Sequence, residues 1–525
     1  MQRIKMKPLT IIFIFIFIFA ENLSCQIPGS NIFNYEGIHD VRLTFTQPDY
    51  WDSLLIYKEE GDQTGIYTYM PVTVDFDGQI IDSTGVRLKG NSSYWAPGKK
   101  KSIKLKFNKY VSGQKLDGLK KVNLNNNFND PTLMREKLFL DILHANNVYA
   151  PRCAYARVYI NNVYWGLYTL VDHIDKVFLL SHFHDKSGNL FKGDKDPAMP
   201  CANMAYHPDP MEYRNCYTLE TNEDLDDWSD LEYLIDVINH TPLPEYYSGL
   251  RSVLNTASFI NAWATNIVFV NVDSYVETGH NYYTYHNPVS NKFEWITWDV
   301  NEAFGLWNVG MPLEQLYNLN LFYLPSNAES TRPLSYFMLQ DPVFRKMYTD
   351  KVYELVCTEF NPEILFPKIE GLYYLIMDDV YADTNKIIST QNFESNILED
   401  VLIAEYPGWV PGLKSFIQLR HDILMGQLSE LGYSFPCTVN SSNSEKYDDI
   451  YIYPNPTNDC IIINPGYCND KTIFIEILDA NGQIVESIEL NGNIKNIDIS
   501  NYPKGIYFIR IIIGNYFKTE RIIKF

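Results

Sequence analysis

Residues 271–305, NVDSYVETGHNYYTYHNPVSNKFEWITWDVNEAFG, decide the fold of the larger part of this 525-residue chain. Residues 281–286 and 292–298 show the alternation of side chains that is typical of β-strands. The five residues 287–291 between them contain Asn, Pro and Ser, which favour a turn. The pattern predicts a β-hairpin with a five-residue loop.

Three oxygen-bearing side chains lie at the open end of this predicted hairpin. Asp273 precedes the first strand, Asn281 begins it, and Asp299 follows the second strand. Pairing about the centre of the hairpin sets Asn281 opposite Thr297, close to Asp299. Two carboxylates and an amide in one place predict a hard cation with oxygen ligands and a general base. Helix caps and hairpin ends also place aspartates in this way, so a purely structural role stays open.

The order of these groups is similar to that of a phosphoryl-transfer site. A protein kinase has a catalytic Asp, then a metal-binding Asn, then a metal-binding Asp followed by Phe-Gly. Here Asn281 lies eight residues after Asp273, and Phe304 and Gly305 follow closely after Asp299. The chain has no HRD or DFG triplet, so the spacing differs from that of an ordinary protein kinase.

Strand patterns dominate the sequence before this hairpin, and helical patterns dominate the rest of the region. The predicted strands are 41–46, 70–76, 85–88, 102–107, 121–125, 156–160 and 165–171. The predicted helices are 132–146, 225–239, 258–270, 342–359 and 411–431. This order predicts an α+β domain over residues 35–435.

Basic side chains on two of the predicted strands are candidates for binding nucleotide phosphates. Lys104 and Lys106 point to the same side of one strand because side chains alternate, and Arg87 lies on the preceding strand. Ser92 lies between these strands in residues 90–93, a loop whose amides and hydroxyls suit phosphate oxygens. A solvated basic face and an ordinary turn remain the alternatives.

Glu136 lies on the predicted helix that follows the lysine strand. In a kinase this position holds the glutamate that orients a lysine at the phosphates. Glu136 is therefore predicted to pair with Lys104 or Lys106, with a solvated charge on the helix surface as the alternative.

The N-terminus and the net charge indicate export. Residues 1–8 are basic, and residues 9–20, LTIIFIFIFIFA, form an apolar run of about 18 Å as a helix, too short to cross a bilayer. This pattern predicts a secretory signal peptide over residues 1–24, while Cys25 follows only a weak lipidation motif. The net charge of −21 argues against nucleic acid as a partner. No later segment is apolar enough to predict a membrane span.

The chain contains eight cysteines, and export allows them to form disulfides. Cys201 with Cys216 and Cys460 with Cys468 are the closest pairs in sequence and the best predictions. Spacing alone does not fix the connectivity. The absence of a CxxC motif argues against a zinc knuckle.

The sequence changes character near residue 440. Residues 438–446, TVNSSNSEK, are polar and predict a linker. Seven short runs follow, separated by turn residues, and predict a small all-β sandwich over residues 447–525. The predicted strands are 450–453, 460–464, 473–478, 483–490, 497–500, 506–513 and 517–525.

This tail resembles the C-terminal sorting domain of type IX secretion cargo in Bacteroidetes. The matching stretches are YPNPTND (453–459), ILDANGQIV (477–485), IDISNYPKGIYFIRI (497–511) and the final KF. The resemblance implies recognition by the type IX secretion machinery and a secreted or outer-surface location. An accessory adhesion module is the alternative.

The larger region resembles the CotH kinase family of atypical secreted or spore-coat kinases. The matching stretches, in family order, are GVRLKGNSS (85–93), KKKSIKLKF (99–107), LMREKLFLDIL (133–143), ARVYINNVYWGLYTLVDHIDKVFL (156–179), GNLFKGD (188–194), NVDSYVETGHNYYTYH (271–286) and FEWITWDVNEAFG (293–305). The resemblance implies a divergent protein-kinase-like fold that binds ATP and Mg²⁺ or Mn²⁺, with serine as the acceptor.

Carried over to the matching positions, the resemblance implies that Asp273 is catalytic, that Asp299 binds the metal, and that Asn281 is a second ligand. Asp172 stands where relatives usually carry Glu, and Asn301 where some carry a second Asp. The predicted function is transfer of the γ-phosphoryl group of ATP to a serine hydroxyl of a secreted or surface protein. The alternatives are an inactive pseudokinase or structural surface protein, and a secreted carbohydrate-active enzyme with a carboxylate pair.

Overall fold

A computed structural model describes residues 27–193, 195, 200–308, 310–403, 408–435, 437, 451–453, 457–464, 472–479, 483–491, 495–513 and 516–524. The chain divides into two compact units, one over residues 27–443 and one that contains the residues from 444 onward. The predicted signal peptide, Cys25 and the predicted linker lie outside the described residues. Among the described residues, no helix is both long enough and apolar enough to cross a membrane.

Seven strands of the larger unit close into a barrel in the order β1-β2-β3-β4-β5-β7-β6. They are β1 (Ile38–Thr44), β2 (Met70–Phe76), β3 (Gln79–Lys89), β4 (Ser102–Lys106), β5 (Lys121–Asn125), β6 (Cys153–Ile160) and β7 (Val163–Val171). The parallel pair β1–β6 closes the barrel, and its first pair of residues is Ile38 and Tyr155. The predicted strands of this region therefore form one closed sheet, and its closure was not predicted.

Alternation along the barrel strands separates an apolar interior from a polar exterior. Val86 and Leu88 of β3 and Leu105 of β4 are buried in the barrel core. Arg87 and Lys89 alternate with these residues, so they point outward. The outer face of β3 and β4 is therefore basic.

The larger unit also contains helices, most of which contribute to a second, larger core, while the first three pack against the barrel core and the fifth against a smaller cluster. They are α1 (Ser30–Phe33), α2 (Tyr50–Thr64), α3 (Ser92–Trp95), α4 (Arg135–Ala145), α5 (Lys176–Phe183), α6 (Tyr213–Cys216), α7 (Ser229–His240), α8 (Leu243–Val253), α9 (Thr256–Val268), α10 (Leu313–Tyr317), α11 (Ala328–Thr331), α12 (Pro333–Gln340), α13 (Pro342–Cys357), α14 (Pro362–Ala382), α15 (Thr390–Ser395) and α16 (Leu413–Glu430). The five predicted helices correspond to α4, α7, α9, α13 and α16. Helix α14 was not predicted, and it contains an internal proline, Pro367, which normally breaks a helix.

A four-stranded sheet carries the predicted hairpin, in the order β11-β10-β8-β9. Its strands are β8 (Leu190–Lys192), β9 (Thr218–Leu219), β10 (Tyr282–Asn287) and β11 (Lys292–Thr297), and β12 (Val401–Leu402) pairs separately with β13 (Trp409–Val410). The hairpin is shifted by one residue from the prediction, because Tyr282 rather than Asn281 pairs with Thr297. Its loop is one residue shorter than predicted, since Asn287 pairs with Lys292.

Two disulfides lie in the described part of the larger unit. The predicted bond between Cys201 and Cys216 is present. A second bond, which was not predicted, joins Cys357 to Cys437 across a sequence separation of 80. The predicted Cys460–Cys468 bond stays a prediction, because Cys468 lies outside the described residues.

The C-terminal unit is all-β, as its sequence predicts. Its strands are β14 (Tyr451–Tyr453), β15 (Cys460–Asn464), β16 (Thr472–Leu478), β17 (Ile484–Asn491), β18 (Lys495–Asp498), β19 (Gly505–Ile513) and β20 (Tyr516–Lys524). They form two sheets, β14-β15-β18 and β17-β16-β19-β20. Ile461 of the first sheet and Ile475 and Ile509 of the second share one core, which is the arrangement of a sandwich.

Candidate active site

The turn between α9 and β10 holds Asp273 against two neighbouring side chains. The Asn281 amide nitrogen donates to the main-chain oxygen of Asp273 at 2.8 Å and to its carboxylate at 3.1 Å. His280 Nε2 lies 2.8 Å from the other carboxylate oxygen. Asn281 adopts a left-handed conformation, with φ of +60°, which Asn tolerates better than most residues. Asp273 and Asn281 are therefore in direct contact.

Asp299 lies beside this pair because the hairpin returns the chain to the same end of the sheet. The Trp298 main-chain nitrogen donates to the main-chain oxygen of Asn281 at 3.1 Å, and Asp299 is the next residue. Asp299 has φ of +53°, which turns the chain out of the strand direction. The backbone therefore brings Asp273, Asn281 and Asp299 to one end of the hairpin.

A buried glutamate, Glu302, joins these residues. It is 6% exposed, and its Oε2 oxygen has no hydrogen-bond partner among the described residues. Burial, and then the negative charges of Asp273 and Asp299, raise the pKa of the Glu302 carboxyl well above its ordinary value. Sequence reasoning missed Glu302 although it lies within the matching stretch 293–305, because its burial depends on the tertiary fold.

Glu136 of helix α4 and Lys89 of barrel strand β3 both lie near Asp299. The Asn125 side chain connects them, since it donates to Glu136 Oε1 at 2.6 Å and accepts from Lys89 Nζ at 2.8 Å. Burial, and then the charge of Asp299, raise the pKa of Glu136 to about 8. Burial lowers the pKa of Lys89, and the charges of Asp299 and Glu136 oppose that shift.

The prediction that Glu136 pairs with Lys104 or Lys106 is wrong. On the outer face of the sheet Lys89 lies opposite Ser102, and Lys104 and Lys106 lie two and four positions further along β4. They therefore lie further from the strand end at which Lys89 meets Glu136. Lys89 could have been found in the sequence, because it is the next outward position of its strand after Arg87.

The other predicted cations line the outer face of the barrel. Arg87 lies opposite Lys104, and Lys106 lies opposite Lys121 on β5. Burial, and then the charge of Arg87, lower the pKa of Lys104 well below its ordinary value. Lys121 and Lys89 act in the same direction. These cations are close enough to repel one another, and a bound anion would relieve that repulsion.

Ser92 begins the short helix α3 in the loop between β3 and β4. Gly90 has φ of +101°, and a Cβ atom there would lie 2.1 Å from Ser93 Oγ, so this turn requires glycine. The Asn126 amide fixes the loop by donating to the main-chain oxygens of Ser93 at 3.3 Å and Lys100 at 2.9 Å. The loop is thus an ordered turn directly after the strand that carries Lys89.

Asp172 already has a partner within the protein. Arg152 donates to one oxygen of its carboxylate at 3.0 and 2.6 Å. Burial raises the pKa of Asp172, and Arg152 opposes that shift. Asp172 is therefore held in an ion pair with Arg152.

The described residues contain no group of three or more His, Cys, Asp or Glu side chains arranged to hold a metal ion on their own. Mg²⁺ commonly binds proteins through one or two carboxylates and completes its shell with phosphate oxygens and water. Asp299, with Asn281 beside it, supplies the one carboxylate that such a Mg²⁺ site needs from the protein. Asp299 raises the pKa of both Glu302 and Glu136, after burial, so a cation beside Asp299 would offset the repulsion among these carboxyls. These residues fit a divalent cation that arrives with a phosphorylated ligand.

Two surface concavities of the larger unit lie apart from these residues. One, of about 430 Å³, is lined by Asn308, Met311, Pro312, Leu313, Asp400 and Trp409. The other, of about 380 Å³, lies between α4 and α14. Neither is lined by a residue of the candidate site, so charge and hydrogen bonding identify the site better than cavity shape does.

The family model described as CotH kinase protein matches residues 86–424, which is more than half of the chain. The chain therefore belongs to the CotH kinase protein family. Inner spore coat protein H of Bacillus subtilis is 25% identical over 309 residues, covering 59% of this chain and 80% of that protein. Two invasins of Rhizopus delemar, CotH3 and CotH2, are each 23% identical over 261 and 188 residues. Those matches cover 48% and 35% of this chain but only 43% and 32% of the invasins.

The tail matches a second family model, the secretion system C-terminal sorting domain, over residues 451–524. The chain is therefore a type IX secretion cargo, exported to the cell surface or beyond it. The all-β unit built by β14 to β20 covers the same residues.

Proposed function

We propose that this protein is an exported kinase that transfers the γ-phosphoryl group of ATP to a hydroxyl, that of serine, on a secreted or surface protein. The observation that carries the proposal is the link from Lys89 through Asn125 to Glu136, next to Asp299. In a protein kinase a strand lysine pairs with a helix glutamate near the metal-binding Asp. Here β3 and α4 supply the corresponding lysine and glutamate, which supports a kinase-like arrangement built on a closed barrel.

In the proposed reaction the acceptor hydroxyl oxygen attacks the γ-phosphorus. The bond from phosphorus to the β–γ bridging oxygen breaks, and ADP leaves with that electron pair. Asp273 accepts the hydroxyl proton, while Asn281 and His280 hold its carboxylate in a fixed orientation. Positioning of the two reactants supplies much of the rate, as in other phosphoryl transfers.

The nucleotide and the metal are assigned to the remaining residues of the site. Arg87 and Lys104 on the barrel face and Ser92 in the following loop bind the phosphates, and Lys89 joins them. Lys106 lies four positions from Ser102 along β4 and is not assigned to the phosphates. Asp299 binds the divalent cation, with Asn281 as a second ligand. Bound Mg²⁺ or Mn²⁺ supplies positive charge to the phosphates. The mutual repulsion of the barrel cations and the surplus charge of the carboxylates support this division.

The test is transfer of labelled phosphate from γ-labelled ATP to a serine-containing protein mixture prepared from the cell surface. We expect full-length protein to label acceptors and Asp273→Asn to label none while still binding ATP. Asp236→Asn is the matched control, because Asp236 is an exposed aspartate on α7 that pairs with the exposed His240. A folded wild-type protein that binds ATP but labels nothing contradicts the proposed activity.

A binding protein without catalytic turnover is the second candidate. The names of the relatives favour it, because one is a spore coat protein and two are invasins. Nucleotide binding without turnover would identify this case. The carbohydrate-active enzyme has no such support, since Trp295 and Trp298 are buried rather than exposed as a sugar-binding wall.

A further inference from the structure

The basic face of the barrel extends well beyond Lys89. At its far end lie four lysines, which we call the distal lysine cluster: Lys106 of β4, Lys121 of β5, and Lys109 and Lys120 in the adjoining turns. Lys109 is exposed, and the other three are half-buried. The cluster is therefore accessible to a ligand.

Strand geometry separates the distal lysine cluster from the candidate active site. On β3 and β4, Lys89 pairs with Ser102, whereas Gly85 pairs with Lys106. Four residues of strand span about 13 Å. Arg87 and Lys104 lie between the two ends. The cations near Lys89 can therefore bind the phosphates, while the distal lysine cluster lies one strand length further away.

The distal lysine cluster has little negative charge of its own. After burial, the charges of Lys121 and Lys109 contribute most to lowering the pKa of Lys106, and Lys120 adds to them. Asp175 is the one acidic group that opposes this shift, and it lies 3.7 Å from the Lys121 ammonium. Around Lys106, three lysines therefore act against one carboxylate, on a chain whose net charge is −21.

An aromatic side chain orders part of this surface. The ring of Tyr69 lies 5.9 Å from the Lys106 ammonium and 5.3 Å from that of Lys109. The Tyr110 hydroxyl donates to the main-chain oxygen of Tyr69 at 2.5 Å, and Tyr110 is itself exposed. Lysines held against a ring lose less conformational entropy on binding than free lysines do. The surface thus combines ordered cations with an exposed aromatic ring.

We propose that the distal lysine cluster is a docking surface for an acidic segment of the acceptor polypeptide. Charge complementarity favours this occupant, because rows of carboxylates match separated ammonium groups better than one compact phosphate does. Binding of the acidic segment does not depend on the proposed function. The role of this surface in choosing the acceptor does depend on the proposed function, because the surface would select serines that lie near acidic sequence.

The test measures binding and transfer separately on full-length protein. Fluorescence anisotropy follows a labelled peptide of alternating glutamate and serine, with a lysine–serine peptide and an oligogalacturonate as comparison probes. The variant is Lys106→Gln combined with Lys109→Gln. The control is Lys346→Gln combined with Lys368→Gln, two exposed lysines on α13 and α14. Thermal unfolding checks the fold of both, and the shift caused by ATP with Mg²⁺ checks the nucleotide site.

We expect the acidic peptide to bind wild type and the control equally, and the variant at least about tenfold more weakly. Binding should weaken as salt screens the charges, and the ATP-dependent shift should not change. Equal binding to variant and wild type overturns the proposal. Loss of ATP binding in the variant also overturns it, because that result would assign the lysines to the nucleotide. Tighter binding of the oligogalacturonate than of the acidic peptide overturns it as well. Peptide binding without phosphate transfer would leave docking intact and refute the kinase activity alone.

Discussion

The two units of this chain bury different kinds of side chain. The core of the C-terminal sandwich is mostly isoleucine, with Ile463, Ile475 and Ile509 fully buried. The larger unit also buries charged side chains, among them Lys100 and Glu136. Burying an unpaired charge costs far more free energy than burying an isoleucine gains. Each buried charge of the larger unit therefore requires a partner or a ligand.

Buried charges in the larger unit are of two kinds. Lys100 and Asp383 form an ion pair of 2.6 Å, with side chains only 1% and 0% exposed, between the loop before β4 and the end of α14. Glu136 and Glu302 each have one buried oxygen with no hydrogen-bond partner among the described residues. The complete pair connects two elements of the fold. The incomplete carboxyls lie beside Asp299, where a bound cation would supply a counter-charge.

The largest effect should come from Asp299, the carboxylate beside Glu136 and Glu302. Asp299→Asn should lower the rate of phosphate transfer about 10⁴-fold, a barrier increase of about 5 kcal/mol, because the cation loses its charged ligand. Its melting temperature should change little, because the lost repulsion with Glu136 and Glu302 is offset by the lost attraction to Lys89. Initial rates and thermal unfolding measure the two effects. A rate within threefold of wild type contradicts the assignment.

The complete pair should behave in the opposite way. Asp383→Asn leaves Lys100 buried without a counter-charge and should lower the free energy of unfolding by about 4 kcal/mol. Denaturant unfolding of the larger unit measures the change, with Asp236→Asn as an exposed control. If Asp383→Asn is as stable as the control, the distinction between complete and incomplete buried charges is wrong.

The sandwich should show ordinary core behaviour. Ile475→Ala removes a fully buried side chain and should cost about 3 kcal/mol of unfolding free energy in the C-terminal unit. Calorimetry should show that the transition of the larger unit keeps its temperature. A shift of both transitions would show that the two units unfold together.

The smallest effect should be a pH dependence caused by Glu136. Its pKa in the folded chain, about 8, lies above the ordinary 4.5, so the folded state binds the proton more tightly than the unfolded state. Stability should therefore be greatest at low pH and decrease as pH rises between these values. Relative to Glu136→Gln, wild type should lose stability progressively between pH 5 and pH 8 without metal. Parallel stability curves for the two proteins contradict this.

Local sequence patterns predicted much of this structure, but they did not predict the contacts between residues far apart in sequence. The strands of the tail follow from alternation and turn residues, which are local properties. Barrel closure joins Ile38 to Tyr155 across more than a hundred residues, and no local pattern encodes that contact. In the candidate site, Asp273 and Asp299 were predicted because they flank a hairpin. Glu302 was not, because the burial of an acid depends on packing.

The measurement that tests the central claim most directly is calorimetric titration of ATP with Mg²⁺ into wild type and Lys89→Met. Lys89 is linked to Glu136 through Asn125, so it belongs to the candidate site. We predict a single nucleotide site in wild type, at least about tenfold weaker in Lys89→Met, and unchanged in Lys346→Met. A folded wild-type protein that shows no binding of ATP with Mg²⁺ or Mn²⁺ would contradict the account.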